Sequence, residues 1–201
     1  MSEYDIEEIL KKNSQFIARR KELNKEKSKK KSVELLVPYS KLVNEAEDNY
    51  RAYTQSENKD SSKEKKLTSE LKLILADFAE VLYDSGKYEE CILIDKRILK
   101  LDQEYHKSYA RLFESYCKIN QNDNAVIFGH MLKIKFRNTK ILEKYYSDLI
   151  PRIDEEIKTV AANFKNQSMF KNVKFTTTSY IKFILFIFSI IFLLHGYFTK
   201  K

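Results

Sequence analysis

Residues 73–102, LILADFAEVLYDSGKYEECILIDKRILKLD, decide how this chain folds. Leu75, Phe78 and Leu82 recur at three- and four-residue intervals, the spacing that places side chains on one helical face. Asp84-Ser85-Gly86 interrupts the pattern, and Tyr88, Cys91, Ile92, Ile98 and Leu99 resume it. Gly86 suits the left-handed backbone that ends a helix and opens a turn, because it has no Cβ to clash. The stretch is predicted to be a helix–turn–helix hairpin.

A shift of 34 residues brings up a second copy. Leu75 then aligns with Tyr109, Phe78 with Leu112, Leu82 with Tyr116, Gly86 with Asn120, Cys91 with Ala125, Ile92 with Val126 and Ile98 with Leu132. Ala79, Cys91 and Ala125 are small enough to let paired helices approach, while the aromatics fill the space to the next hairpin. A helical hairpin with this period is the signature of the tetratricopeptide repeat. Over residues 70–172 the chain resembles tetratricopeptide-repeat proteins, most nearly their co-chaperone-like members. The linker YHKSYARLFESY (105–116) carries that resemblance further, as does ILEKYYSDLIPRIDEEIK (141–158), in which Ile150-Pro151 precedes a charged helix. The resemblance implies an all-α fold of tetratricopeptide-like hairpins closed by a long C-terminal capping helix over Ile141–Phe164. Ser32–Tyr53 is read as a degenerate first repeat, weakly amphipathic and interrupted at Pro38. Three positions depart from the family pattern. Asp95 and Gly129 stand where a large aromatic packs, and Gln103 replaces the closing proline.

The candidate site follows from the same register. Lys107 and Arg111 are four residues apart, so they share one helical face. In co-chaperone tetratricopeptide domains, a lysine and an arginine at these register positions line the concave groove and grip the C-terminal carboxylate of an acidic EEVD-type heat-shock chaperone tail. The resemblance therefore implies a carboxylate clamp and a chaperone partner. Arginine would supply a bidentate fork and lysine a point charge. Asp77 stands where such clamps use asparagine, and Glu80 and Glu114 would share the groove. The competing expectation is that Lys107 and Arg111 form surface salt bridges with Asp77 or Glu114.

The net charge of +8 is unevenly spread. From Ile157 to the end there are seven lysines and no acid, which leaves about +1 for everything before. That basic stem adjoins YIKFILFIFSIIFLLHGYF at 180–198, whose core Phe183–Leu194 holds eleven apolar residues and one serine. Nineteen residues at ~1.5 Å each span roughly 28 Å, about the hydrocarbon thickness of a bilayer. A single transmembrane tail anchor is expected there. Lys182 would snorkel, Tyr180 and Tyr197 would sit at the interfaces, and the basic stem would lie against anionic lipid. The N-terminal side would face the cytosol, on the endoplasmic reticulum or the mitochondrial outer membrane.

Before the hairpins, RRKELNKEKSKKK (19–31) carries eight basic residues against two acidic ones. It is read as a solvated helix or flexible arm; nucleic acid is an unlikely partner, because most of the charge surplus lies elsewhere. SENKDSSKEKK (56–66) has no apolar residue and reads as a mobile linker. The expected organisation is an N-terminal arm (1–31), a degenerate repeat with linker (32–66), the repeat domain (67–172), a basic stem (173–179) and the anchor (180–198).

No catalytic pattern emerges. His106, His130 and His195 share no ligand spacing, Cys91 and Cys117 read as buried reduced thiols, and there is no phosphate loop, nucleophile elbow or H-E-x-x-H. A non-enzymatic chain without cofactor or metal is expected. It would act either as a co-chaperone with a clamp or as a structural adaptor or receptor subunit without one.

Overall fold

The computed structural model describes residues 6–56 and 60–166. The chain divides into two units, 1–157 and 158–201. Among the described residues the regular elements are eight α-helices. They are α1 (Ile6–Glu26), α2 (Ser32–Gln55), α3 (Ser61–Asp84), α4 (Tyr88–Leu101), α5 (His106–Lys118), α6 (Asn122–Phe136), α7 (Ile141–Tyr146) and α8 (Leu149–Asn166). The described residues are all-helical, as the sequence predicts, but the long capping helix expected over Ile141–Phe164 is two helices, α7 and α8, broken at Ser147-Asp148.

Helices α1 to α6 pack one against the next, and α3 also touches α1 and α5. This makes two layers: α1, α3 and α5 on one side, α2, α4 and α6 on the other. The two predicted turns are built alike. Gly86 takes φ +75° and Asn120 φ +57°, in the left-handed region. After α3, Gly86 N–H donates to the Tyr83 carbonyl and Lys87 N–H to that of Leu82, both at 2.9 Å. After α5, Asn120 N–H donates to Cys117 at 3.1 Å and Gln121 N–H to Tyr116 at 2.9 Å. Each donor and acceptor sits 34 residues beyond its counterpart, so the two hairpins share a single turn chemistry.

Of the four apolar clusters among the described residues, the two largest fill most of the space between the layers. The first joins α1 to α4 through Phe16, Leu42, Ala46, Ile74, Leu75 and Ile98. The second joins α4 to α8 through Ile92, Leu112, Phe113, Leu132, Leu149 and Ile153. Two of the three departures from the repeat pattern, Gly129 and Asp95, now have a packing reason. A Cβ on Gly129 would lie 2.9 Å from Ile153 Cγ2 and 2.9 Å from Phe113 Cδ2, so α8 and α5 fill the volume an aromatic would take. Asp95 is fully buried and ion-paired, as described below.

Four further expectations need correction. First, the basic run is no flexible arm: Lys21, Lys25 and Lys29 to Lys31 are exposed, as a solvated helix would have them, but one face of the run lies against the domain. Arg20 Nε donates to Asp77 Oδ2 at 2.5 Å, Asn24 Nδ2 to the same oxygen at 2.7 Å, and Lys27 Nζ to Glu80 Oε2 at 3.0 Å. Arg19 pairs with Glu45, and the Tyr39 hydroxyl donates to Asn24 Oδ1 at 2.6 Å. Second, α2 runs through Pro38 unbroken. Pro38 is past the first turn and costs the helix the bond to the Glu34 carbonyl, and burial of Leu35, Tyr39, Leu42 and Val43 on one face holds it together. Third, the polar stretch 56–66 contains a helix start. The Asp60 carboxylate accepts from the N–H groups of Ser62 (2.7 Å) and Lys63 (3.2 Å), which caps α3. Tyr53 Oη accepts the Asp60 N–H and donates to its carbonyl, each at 2.9 Å. Fourth, the expected membrane-spanning tail anchor is not carried by the structure. No helix among the described residues is long and apolar enough to cross a membrane, because each interleaves its apolar positions with charged ones. The stem (173–179) and the stretch 180–198, on which that expectation rested, lie outside the described residues.

Candidate protein-binding surfaces

The structure separates the two predicted clamp residues. Lys107, in the first turn of α5, is exposed to solvent. Arg111, one turn later, reaches into the α4–α5 interface, its side chain 13% exposed. Its Nε donates to Asp95 Oδ2 and its Nη2 to Asp95 Oδ1, both at 2.7 Å, a bidentate fork onto a carboxylate of 0% exposure. Ser108 Oγ adds a third bond to Oδ1 at 2.7 Å. The Cys91 thiol lies 3.6 Å from Oδ2 and donates to the Ala79 carbonyl at 3.3 Å, and Ser115 Oγ reaches Cys91 Sγ at 3.6 Å.

Electrostatics follow from that arrangement. Burial alone would lower the Arg111 pKa, but the facing Asp95 charge and its hydrogen bonds outweigh burial and raise it. Burial, then the Asp95 charge, push the Cys91 thiol up to about 12. The thiol therefore stays protonated at neutral pH and is no nucleophile. Neither Asp77 nor Glu114 pairs with Arg111. Asp77 is held by Arg20 and Lys27, and Glu114 by Arg152 Nη1 at 3.3 Å. One clue to Asp95 was present in the sequence: an acid at a register position that should be buried demands a cation.

The start of α5 also carries an aromatic cluster that the sequence reading missed. The His106 ring stacks between Tyr105 (centroids 6.3 Å, 24°) and Tyr145 (5.6 Å, 22°). Phe136 and Tyr146 meet it edge-on at 5.9 and 5.6 Å. His106 Nδ1 and Tyr146 Oη are 2.7 Å apart, tying α5 to α7. Burial first, and Lys107 second, lower the His106 pKa, which favours the neutral ring.

The outer layer is different. One face of α6 is packed inward through Ala125, Gly129, Leu132 and Phe136. Its opposite face presents Ile127 (53% exposed), Met131 (42%) and Ile134 (53%) to solvent, at i, i+4 and i+7. Leu93 on α4 and Val37 on α2 are exposed too, at 62% and 77%. Beside Val37 an open depression of about 340 Å³ is lined by Ser40, Lys41, Asn44, Glu45 and Asp48. Apolar stripes of this kind, rimmed by polar residues, mark protein contacts. Comparison of the chain with models of known protein families and with curated proteins finds no match.

Proposed function

We propose that this chain is a tetratricopeptide-type adaptor that holds a protein partner on the outer face of its second-layer helices, without a carboxylate clamp. The exposed Ile127–Met131–Ile134 stripe on α6 carries the reading, since three large apolar side chains on one helical face favour being covered. The 34-residue equivalence of the two turns supports the repeat assignment. Arg111 speaks against a clamp: gripping a peptide carboxylate would strip a buried Asp95 of its counter-charge. The inner layer is occupied by the chain's own groups, with α1 on Asp77 and Glu80 and Arg152 of α8 on Glu114.

Calorimetry of the full chain with an EEVD-ended peptide and with its amidated form tests the absence of a clamp. The expected outcome is no difference between the two peptides. Binding that needs the free carboxylate, and that Lys107→Ala abolishes, would refute the reading.

A further inference from the structure

The charges along the open face of α6 have an order. Asp123, His130 and Arg137 are exposed and stand seven residues apart, so they form one row beside the Ile127–Met131–Ile134 stripe. The row opens on an acid in the first turn of α6 and closes on a base at the C-cap. Neither Asp123 nor Arg137 has an ion-pair partner among the described residues. The two lysines of the helix are engaged within the fold: Lys133 pairs with Asp154 of α8 and Lys135 with Glu104.

Reversed end to end, this row is its own complement. When two copies of a helix pack antiparallel about a two-fold axis, each flank meets the same flank of the other copy, running the opposite way. With His130 on the axis, Asp123 meets Arg137 twice. Ile127 then falls opposite Ile134, and Met131 lies beside its own counterpart. The spacing of the stripe, i, i+4 and i+7, is that of a seam between two helices. A parallel copy would instead set Asp123 against Asp123 and Arg137 against Arg137. Antiparallel packing also places the two helix dipoles in their favourable sense. A foreign helix would have to carry this pattern in reverse; a second copy already does.

We propose that α6 is the interface of a two-fold homodimer, in which a second copy of this chain lies antiparallel on Ile127, Met131 and Ile134. This rests on the adaptor reading and names the partner that covers this helix. The contact runs along 15 residues. At ~1.5 Å per residue that is about 22 Å, so the dimer belongs to the small, reversible class of interfaces.

Sedimentation equilibrium of the full chain measures the monomer–dimer constant. Ile127→Ser with Ile134→Ser should raise the dissociation constant at least about tenfold, since the seam loses both its outer apolar pairs. Asp123→Arg and Arg137→Asp, each alone, should raise it at least about threefold in low salt, because each sets like charges opposite one another twice. The two together should restore it, because the row is then complementary again in reverse. The penalty of each single change should fade near 1 M salt as the Debye length falls to ~3 Å. These side chains are exposed, so unchanged thermal melting confirms that the variants fold. The rest of the chain is common to all of them, so the differences between variants read α6 alone. A chain that stays monomeric up to on the order of 1 mM would overturn the proposal. So would self-association that the stripe variant leaves unchanged, or single charge variants that the double variant fails to rescue. If the chain is monomeric while a different protein purified with it depends on Ile127 and Ile134, only the second copy falls and the adaptor reading stands. If no partner of either kind depends on them, the adaptor reading falls as well.

Discussion

Arg111 and Asp95 show how one residue's surroundings redirect its role. Four apart from Lys107, Arg111 resembles half of a ligand clamp; folded, it is the only cation in contact with a fully buried carboxylate among the described residues. Truncating one partner of a buried pair leaves an uncompensated charge, at a cost of about 3–5 kcal/mol. Arg111→Ala should therefore lower the unfolding free energy by that amount in urea titration, whereas Lys107→Ala, on an exposed side chain, should change it by less than ~0.5 kcal/mol. Gly129 is the second case. Alanine there improves helix propensity by about 1 kcal/mol. It also drives a methyl into Ile153 and Phe113 at 2.9 Å, where β-branched Ile153 has little rotamer freedom to yield. Overpacking at ~1–3 kcal/mol outweighs the gain, so Gly129→Ala should be destabilising by roughly 1 kcal/mol net. The repeat pattern marks both positions as departures, and for Asp95 it hints at a cation without naming it. The cause lies in residues on other helices: Arg111 on α5 for one, Ile153 on α8 for the other.

At the scale of elements, the hairpins were legible because their signals are local. Apolar spacing, Gly86 and Asn120 specify α3–α4 and α5–α6 within a window of about 30 residues, and the turn hydrogen bonds repeat accordingly. The docking of the N-terminal helix on the domain was not legible. A run of lysines and arginines looks solvated until its acids are found, and Asp77 and Glu80 lie 53 to 57 residues away in sequence. The start of α3 was hidden for a related reason: Ser, Lys and Glu read as a linker by composition, yet they extend a helix once Asp60 caps it. The junction of α5 with α7 makes a pH prediction. His106 has a pKa below its ordinary 6.5 in the folded protein, so between that lowered value and 6.5 the unfolded chain binds more protons. Stability from this group is then complete above about pH 6.5 and declines as pH falls towards the folded value. Between pH 7.5 and 5.5 the wild type should lose more unfolding free energy than His106→Phe, which keeps an aromatic ring but cannot charge. Equal losses would show that His106 is not the group responsible.

For the whole molecule, the two layers have unequal work. In the inner layer, groups that could meet a peptide are already engaged: Asp77 and Glu80 by α1, Glu114 by Arg152, Arg111 by Asp95. The outer layer keeps Val37, Leu93, Ile127, Met131 and Ile134 exposed, beside exposed charged residues of both signs. The sequence pattern pointed to the inner layer, since family resemblance places a groove there, and periodicity cannot tell a covered apolar face from an open one. That distinction depends on which helices pack together. On α6 both faces are apolar, so only the three-dimensional packing shows that one of them remains free. The central claim is that the outer face, and not the Lys107 end of α5, holds a protein partner. Affinity purification of the full chain against two variants tests it most directly. A stoichiometric partner should persist with Lys107→Ala and disappear with Ile127→Asp plus Ile134→Asp; a partner lost with Lys107→Ala and kept by the outer-face variant would contradict the account.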